Sequence, residues 1–317
     1  MCDLYPLIII AGPTGVGKTD ISIKLAKLIN GEIISADSIQ VYKGLDIGSA
    51  KITASEMQGV THYLIDALEP TDNFGVDVFV QMSKAAINEI VSRGHIPIIV
   101  GGTGFYIQAL LYGIDFTQEE EHDDSYRNEL SLLAGTEEGK NTLFDKLCEL
   151  DYEYAMTTHK NNVKRVIRAL EYIHFTGKKF SQYNDEGHNK DAQYNFAYFA
   201  LTMNREKMYE RIDKRVDKMI ADGLITEVKN LMQNGLDDTC QSMQGIGYRE
   251  TVAFLNGETD LDEAIELIKK NTRHFAKRQL TWLRREKEVV FIDKDVYSSD
   301  EKILNYMKET IYDKGII

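Results

Sequence analysis

A chain of 317 residues with 43% hydrophobic and 27% charged residues can bury a full core, which excludes a disordered or fibrous protein and suggests two domains or one α/β domain with an insertion. The formal net charge of −13 counts against a nucleic-acid partner in bulk, yet a local basic patch still acts over about 8–10 Å at physiological salt. Cys2, Cys148 and Cys240 are scattered with no zinc spacing, and no apolar run approaches the roughly 20 residues that span a bilayer, so a cytoplasmic protein without disulfides or membrane segments is expected.

The first element is the apolar run Leu7-Ile8-Ile9-Ile10, read as a buried strand. It feeds Gly12-Pro13-Thr14-Gly15-Val16-Gly17-Lys18-Thr19, a complete G-x-x-x-x-G-K-[ST] phosphate loop. The glycines let backbone N–H groups turn towards phosphate oxygens, Lys18 adds a point charge, and the Thr19 hydroxyl can hold a magnesium ion. A helix follows, adding its positive dipole end, and stops near Asn30-Gly31. The spacing predicts a strand over 32–36 that delivers Asp37-Ser38-Ile39-Gln40-Val41-Tyr42 to the carboxyl end of a sheet. Further expected elements are a strand over 62–66, a helix over 76–92 and a strand over 97–100 ending in Gly101-Gly102-Thr103-Gly104.

Near Gly113 the texture changes. An acidic run over 119–124 reads as a solvated connection, and helical segments extend to about Thr176, with Val163, Val166, Ile167 and Leu170 forming an apolar stripe. Residues 178–192 read as a mobile loop, and 195–201 as a returning strand. The next helix places Met208, Ile212 and Met219 on its buried side, with Arg211, Arg215 and Lys218 on the other. A long helix from about Asp262 ends in a basic stretch, Lys269 to Lys287, with Phe275 and Trp282 interleaved, which favours an anionic partner.

A phosphate loop alone leaves kinases, other NTP-using enzymes and transferases open. Further blocks narrow the choice: Asp37-Ser38-x-Gln40-Val41-Tyr42 with Leu45-Asp46-Ile47-Gly48-Ser49-Ala50-Lys51, Val100-Gly101-Gly102-Thr103-Gly104-x-Tyr106, Arg165-Val166-Ile167-Arg168-Ala169-Leu170-Glu171, Gly245-Ile246-Gly247-Tyr248 and Ala276-Lys277-Arg278-Gln279-Leu280-Thr281-Trp282. In this order, from about Leu7 to Arg285, they resemble the bacterial tRNA dimethylallyltransferase family, the tRNA isopentenyltransferases. The chain departs from the family pattern at Ile52, at Thr61-His62-Tyr63 and at Asn161-Asn162-Val163.

The resemblance implies an α/β fold: a core like that of phosphate-loop NTPases, with a parallel sheet flanked by helices, over 1–113 and 194–317, and a helical insertion over 114–193 that contacts tRNA. It implies transfer of a dimethylallyl group from dimethylallyl diphosphate to N6 of the adenosine immediately 3′ of the anticodon, in tRNAs reading codons that begin with U, with magnesium required and no NTP hydrolysed. Breaking the allylic carbon–oxygen bond leaves charge on pyrophosphate, which the loop amides, Lys18 and magnesium on Thr19 can stabilise. The acceptor amine must lose or share a proton, and Asp37 is the candidate base, supported by Thr103; the alternative is that Asp37 ligates magnesium. Arg215 is expected on the pyrophosphate. Expected tRNA contacts to the anticodon stem-loop are Asp37, Ser38, Ile39, Gln40, Thr103, Arg127, Asn161, Asn162, Val163, Lys164, Arg165, Gln244, Gly245, Gly247, Tyr248, Arg249, Lys277, Arg278 and Gln279. A monomer is expected. The competing readings are an isopentenyltransferase of free adenylates, a small-molecule kinase, and a non-catalytic nucleotide-switch or RNA-binding module.

Overall fold

The computed structural model describes residues 4–114, 125–182 and 191–317. In chain order the elements are β1 (Pro6–Ala11), α1 (Lys18–Ile29), β2 (Gly31–Ala36), α2 (Ala54–Met57), β3 (His62–Tyr63), α3 (Val76–Ser92), β4 (Ile96–Gly101), α4 (Gly104–Tyr112), α5 (Ser125–Leu133), α6 (Glu137–Leu150), α7 (Tyr152–Ala155), α8 (Val163–Thr176), β5 (Asn195–Thr202), α9 (Arg205–Asp222), α10 (Leu224–Gln233), α11 (Tyr248–Leu255), α12 (Leu261–Leu283), β6 (Val289–Asp293) and α13 (Asp300–Asp313). The six strands form one parallel sheet in the order β3-β2-β4-β1-β5-β6.

The sheet forms because its central strands are apolar on both faces, as a parallel sheet covered by helices requires. Leu7, Ile8, Ile9 and Ile10 of β1 are all fully buried. On one face, Ile21, Leu25 and Ile29 of α1 pack into the same cluster as Ile303, Met307 and Ile311 of α13. Asn30 takes a left-handed conformation with φ 55° and closes α1, its N–H donating to the Ala26 carbonyl. Elsewhere α3 buries Phe79, Val80, Ser83, Ala86, Ile87 and Ile90, a stripe at helical spacing.

The contact map divides the chain into two compact units, residues 1–111 with 193–317, and residues 112–192. The second unit builds its own core from Leu130, Leu143, Leu147, Val166, Ala169 and Leu170. Within it the buried Asp151 caps α7 by accepting from Tyr154 N at 3.2 Å, and accepts from Ser181 N at 2.7 Å. The acidic run at 119–124 lies outside the described residues, as do 183–190 of the expected loop; residues 180–182 of that loop are helical.

One expected strand is much shorter than its apolar pattern suggests. Only His62–Tyr63 pair with β2, because Leu64 and Asp66 adopt left-handed conformations, with φ 59° and 50°. The chain turns away to hydrogen-bond with the segment after β2: Asp66 N donates to Gln40 O and Ala67 N to Val41 O. Lys51 holds the turn, its ammonium 2.5 Å from Asp66 Oδ1.

Gly101 ends β4 where it crosses closest to β2. A Cβ there would stand 2.2 Å from the Ala36 carbonyl oxygen, which is backbone and has nowhere to go. We expect Gly101→Ala to destabilise the protein by about 1–3 kcal/mol, the usual cost of overpacking, read as a lower urea midpoint at unchanged m-value. A midpoint equal to wild type would contradict this reading of the β2–β4 contact.

Candidate active site

Strand order determines what meets at the carboxyl edge. Because β2, β4 and β1 are neighbours, the loop after β1, Asp37 after β2 and Gly102-Thr103 after β4 emerge side by side. Thr103 N donates to the Ala36 carbonyl at 3.4 Å, stitching two of these strand ends together.

In the phosphate loop Gly12, Gly15 and Gly17 have φ values of 150°, 81° and 88°. At Gly12 a side chain is also excluded by space, since a Cβ would lie 2.7 Å from the Leu201 carbonyl. The loop delivers the N-terminus of α1, whose first N–H groups have no intrahelical acceptor, to a cavity of about 360 Å³. Lys18 folds back over the loop, donating to Gly12 O at 2.9 Å and Pro13 O at 3.0 Å. Burial, reinforced by the neighbouring Arg215 charge and opposed by Asp37, lowers its pKa to about 8. Thr19 is exposed beside it, its hydroxyl without a hydrogen bond among the described residues.

Arg211 and Arg215 reach the same cavity from α9, one helical turn apart. Burial pushes the Arg215 pKa down while Asp37 pulls it up. Its one hydrogen bond among the described residues runs from Nη2 to the Ser49 carbonyl, at 3.3 Å. Lys218 does not join them: it pairs with Asp222 at 2.6 Å in solvent. Met219, expected in the core, is half-buried and lines the next cavity.

That second cavity, of about 380 Å³, shares Thr14, Asp37, Gly102, Arg215, Phe275 and Gln279 with the first. The rest of its wall mixes apolar side chains, Ile39, Ile212, Val216, Ile246 and Ile268, with polar ones that include Gln241, Gln244, Thr272 and Arg278. Asp37 sits where the two meet. Its Oδ1 accepts from Ile39 N at 2.9 Å and Gln40 N at 3.2 Å, which leaves Oδ2 without a partner among the described residues. Gln40 turns away, donating to the carbonyls of Ser49 and Ala50 at 3.2 and 3.3 Å. Ser38 and Thr103 line the second cavity with their hydroxyls unbonded among the described residues.

Three expected tRNA contacts, Gln279, Tyr248 and Gly247, are buried. Gln279 is 7% exposed; its Oε1 accepts from Thr14 N at 2.9 Å and its Nε2 donates to Gly102 O at 3.0 Å. It therefore ties α12 to the phosphate loop and to the end of β4, and Gly102 lacks a side chain because a Cβ would lie 2.0 Å from Nε2. Tyr248 is completely buried, its hydroxyl donating to Glu227 Oε1 at 2.8 Å and accepting from Ser49 N at 3.2 Å. Burial and the Glu227 charge raise its pKa far above the usual phenol value. Gly247, with φ 100°, is likewise buried, its N–H donating to Glu250 Oε2 at 2.8 Å.

The other expected RNA contacts are distributed. Asn161, Asn162, Lys164 and Arg165 are exposed at the start of α8, with Val163 half-buried, while Arg127 is bonded to Glu171 at 2.8 Å. Gln244 and Arg249 are exposed; the first donates to the Asp238 carbonyl, the second pairs with Glu250 at 2.7 Å. Gly245 lines the second cavity. In the basic stretch of α12, Lys269 and Arg273 are paired with Asp217 and Asp213 of α9 at 2.8 and 2.6 Å. Lys277 and Arg278 are exposed with no ion pair among the described residues, and Arg278 stands 5.7 Å over the Phe275 ring.

Sequence reading missed Glu227, and it quoted Lys51 within a motif without giving it a role. Glu227 accepts the N–H groups of Asp46, Ile47 and Gly48. Lys51, with its side chain 5% exposed, binds the Tyr42 carbonyl and Asp46 Oδ1, both at 2.6 Å. Neither stands out on its own, since a single acid or lysine within a polar helix or loop is ordinary.

Comparison with known proteins gives the family. A family model described as IPP transferase matches residues 40–286. A tRNA dimethylallyltransferase of Lachnoclostridium phytofermentans is 53% identical over 314 residues, covering 99% of this chain and all of the relative. Among solved structures, the full-length tRNA isopentenylpyrophosphate transferase of Bacillus halodurans is 43% identical with a TM-score of 0.74, over 98% of both chains. A eukaryotic dimethylallyltransferase acting on tRNA is 30% identical with a TM-score of 0.82, over 98% of this chain and 80% of that one. With a family match over most of its length and a full-length relative sharing half its residues, this chain belongs to the IPP transferase family.

Proposed function

We propose that the protein transfers a dimethylallyl group from dimethylallyl diphosphate to N6 of the adenosine 3′ of the anticodon, in tRNAs reading codons that begin with U. The observation that carries this reading is the junction of two cavities at Asp37: one cationic and glycine-lined for a diphosphate, the other with apolar side chains for a prenyl group and polar ones for a base. In the reaction the allylic carbon–oxygen bond breaks, the N6–carbon bond forms, the N6 proton leaves and the electron pair departs on diphosphate. Lys18, Arg215 and the amides at the start of α1 stand where that negative charge collects. Asp37 Oδ2 is the free oxygen that receives the N6 proton. Because N6 is inaccessible in a stacked loop, the adenosine must be extruded, at a cost of a few kcal/mol.

A divalent ion, proposed to be magnesium, fits here: the unbonded Thr19 hydroxyl, beside the cationic cavity, is a hard oxygen ligand that would hold it. Its contribution when bound is charge neutralisation on the leaving group. Arg278 and Lys277 on α12, and the exposed start of α8 in the second unit, are proposed to contact tRNA. A cytoplasmic location and a monomeric state are proposed with this reading; no helix among the described residues is long and apolar enough to cross a membrane.

The reading is tested by incubating the protein with dimethylallyl diphosphate, magnesium and either unmodified tRNA or AMP. A five-carbon gain on tRNA adenosine is expected; modification of AMP alone would reassign the enzyme to free adenylates. Asp37→Asn keeps the side-chain shape and removes the base, so kcat is expected to fall by about 10²–10⁴ with little change in tRNA affinity. Loss of magnesium and diphosphate affinity with an intact chemical step would instead make Asp37 a metal ligand.

Lys18 gives a pH dependence. With its pKa lowered to about 8 by burial, the free enzyme loses this charge above that pH, whereas a bound diphosphate holds the proton on. Affinity for a diphosphate monoester should be flat up to about pH 8 and then weaken roughly tenfold per pH unit. Calorimetric titration should find the break in wild type and none in Lys18→Ala.

On α12, neutralising Lys277 and Arg278 should lower the log–log salt slope of tRNA binding by about one unit per lost phosphate contact. Neutralising the ion-paired Lys269 and Arg273 should leave it nearly unchanged. Equal slopes in all variants would make the patch a solvated face.

A further inference from the structure

The turn at residues 46–51 walls both cavities, Gly48 and Ser49 lining the second one and Ala50 the cationic one. Four successive backbone N–H groups of this turn point at one acceptor system, the half-buried Glu227 and the buried Tyr248. Glu227 Oε2 accepts from Asp46 N at 3.1 Å and Ile47 N at 2.7 Å, Glu227 Oε1 from Gly48 N at 3.1 Å, and the Tyr248 hydroxyl from Ser49 N at 3.2 Å. The Tyr248 hydroxyl in turn donates to Glu227 Oε1. Gly48 carries no side chain because a Cβ would lie 2.6 Å from the Tyr248 ring.

The local shape of the turn does not need this acceptor. Ser49 Oγ donates to Leu45 O at 2.6 Å, Ala50 N to Ile47 O at 3.0 Å, Lys51 N to Asp46 O at 2.9 Å, and Lys51 Nζ ties the turn to Tyr42 and Asp46. What Glu227 and Tyr248 add is placement of the whole turn against the helices. Glu227 lies on α10 and Arg215 on α9, two helices separated by Gly223 alone, so the same pair of helices grips the turn from Glu227 and meets the Ser49 carbonyl through Arg215 Nη2. That carbonyl also accepts from Gln40 Nε2, three residues beyond Asp37.

We infer that Glu227 and Tyr248 are positioning residues for the transfer reaction: by fixing the 46–49 amides they hold the Ser49 carbonyl in place, and through it the guanidinium of Arg215 at the leaving diphosphate. One Arg215 donor is spent on Ser49, and the remaining N–H groups of the fork have no partner among the described residues in a side chain that lines the cationic cavity. The inference rests on the proposed role of Arg215 at the diphosphate. A charged contact displaced by about 1 Å loses much of its effect on a developing charge, so the cost of releasing the turn falls on the donor and not on RNA binding.

The test is a mutant cycle. Tyr248→Phe and Glu227→Gln are each measured in the wild-type and the Arg215→Ala backgrounds, with kcat and KM for dimethylallyl diphosphate, stem-loop affinity and the urea midpoint as readouts. In the wild-type background each is expected to lower kcat/KM for the diphosphate about tenfold or more at unchanged stem-loop affinity. In the Arg215→Ala background each should lower it less than about twofold. Equal losses in both backgrounds, or wild-type kinetics in a folded Tyr248→Phe protein, would overturn the inference. Should Glu227→Gln fail to fold, Tyr248→Phe carries the cycle, because it removes one hydroxyl and keeps the ring beneath Gly48. Arg215→Ala by itself, with unchanged diphosphate affinity and turnover, would remove the assigned role of Arg215; a normal single-mutant loss followed by additivity removes only the coupling.

Discussion

Lys18 and Arg215, both half-buried, share one cavity with Asp37 among the charges that shift them. Removing like charges from water into a shared pocket is unfavourable, and the lowered pKa values of both side chains express that cost. An entering dianion relieves it, since each cation then regains a partner in a medium that screens poorly. The site is thus assembled for a ligand more negative than anything the protein itself supplies. Within the protein Lys18 donates to the carbonyls of Gly12 and Pro13, which are dipoles and not charges.

Such an arrangement persists only if the groups around it are fixed by other interactions. Gln279 bonds the phosphate loop and the end of β4 to one side chain of α12, and the absence of a side chain at Gly102 lets it approach. Lys51 and Glu227 fix the turn at 46–51 from opposite ends, one as a donor to carbonyl and carboxylate oxygens, the other as an acceptor of N–H groups. Each is a charged group fully engaged in hydrogen bonds, the condition under which such groups can be sequestered without being neutralised.

Helix α12 resolves the apparent conflict between a net charge of −13 and an anionic macromolecular partner. Along its length the basic residues divide. Lys269 and Arg273 are neutralised by Asp217 and Asp213 of α9 and serve helix packing. Lys277 and Arg278, one turn further, have no acid opposite them among the described residues and keep their field. A short-range patch is enough, because screening confines its action to about a Debye length whatever the distant charge.

The sequence by itself determined the elements whose physics is local. The apolar run at Leu7–Ile10, the left-handed glycines before Lys18 and the Asn30 stop specify β1, loop and α1 without reference to anything distant, and the stripe at Phe79, Val80, Ser83 and Ile87 does the same for α3. Strand character after β2 could be read for His62 and Tyr63 but not its early end, since the left-handed turn at Leu64 and Asp66 follows from pairing with Gln40 and Val41 and from Lys51. Tyr248 and Gln279 sat in motifs that marked them as important, yet which surface they face depended on partners 199 and 265 residues away in the chain. Tertiary structure decided those roles for a physical reason: a hydrogen-bonding side chain has no function of its own until folding places an acceptor or donor against it, and no periodicity in the chain encodes where Ser49, Thr14 and Gly102 will be.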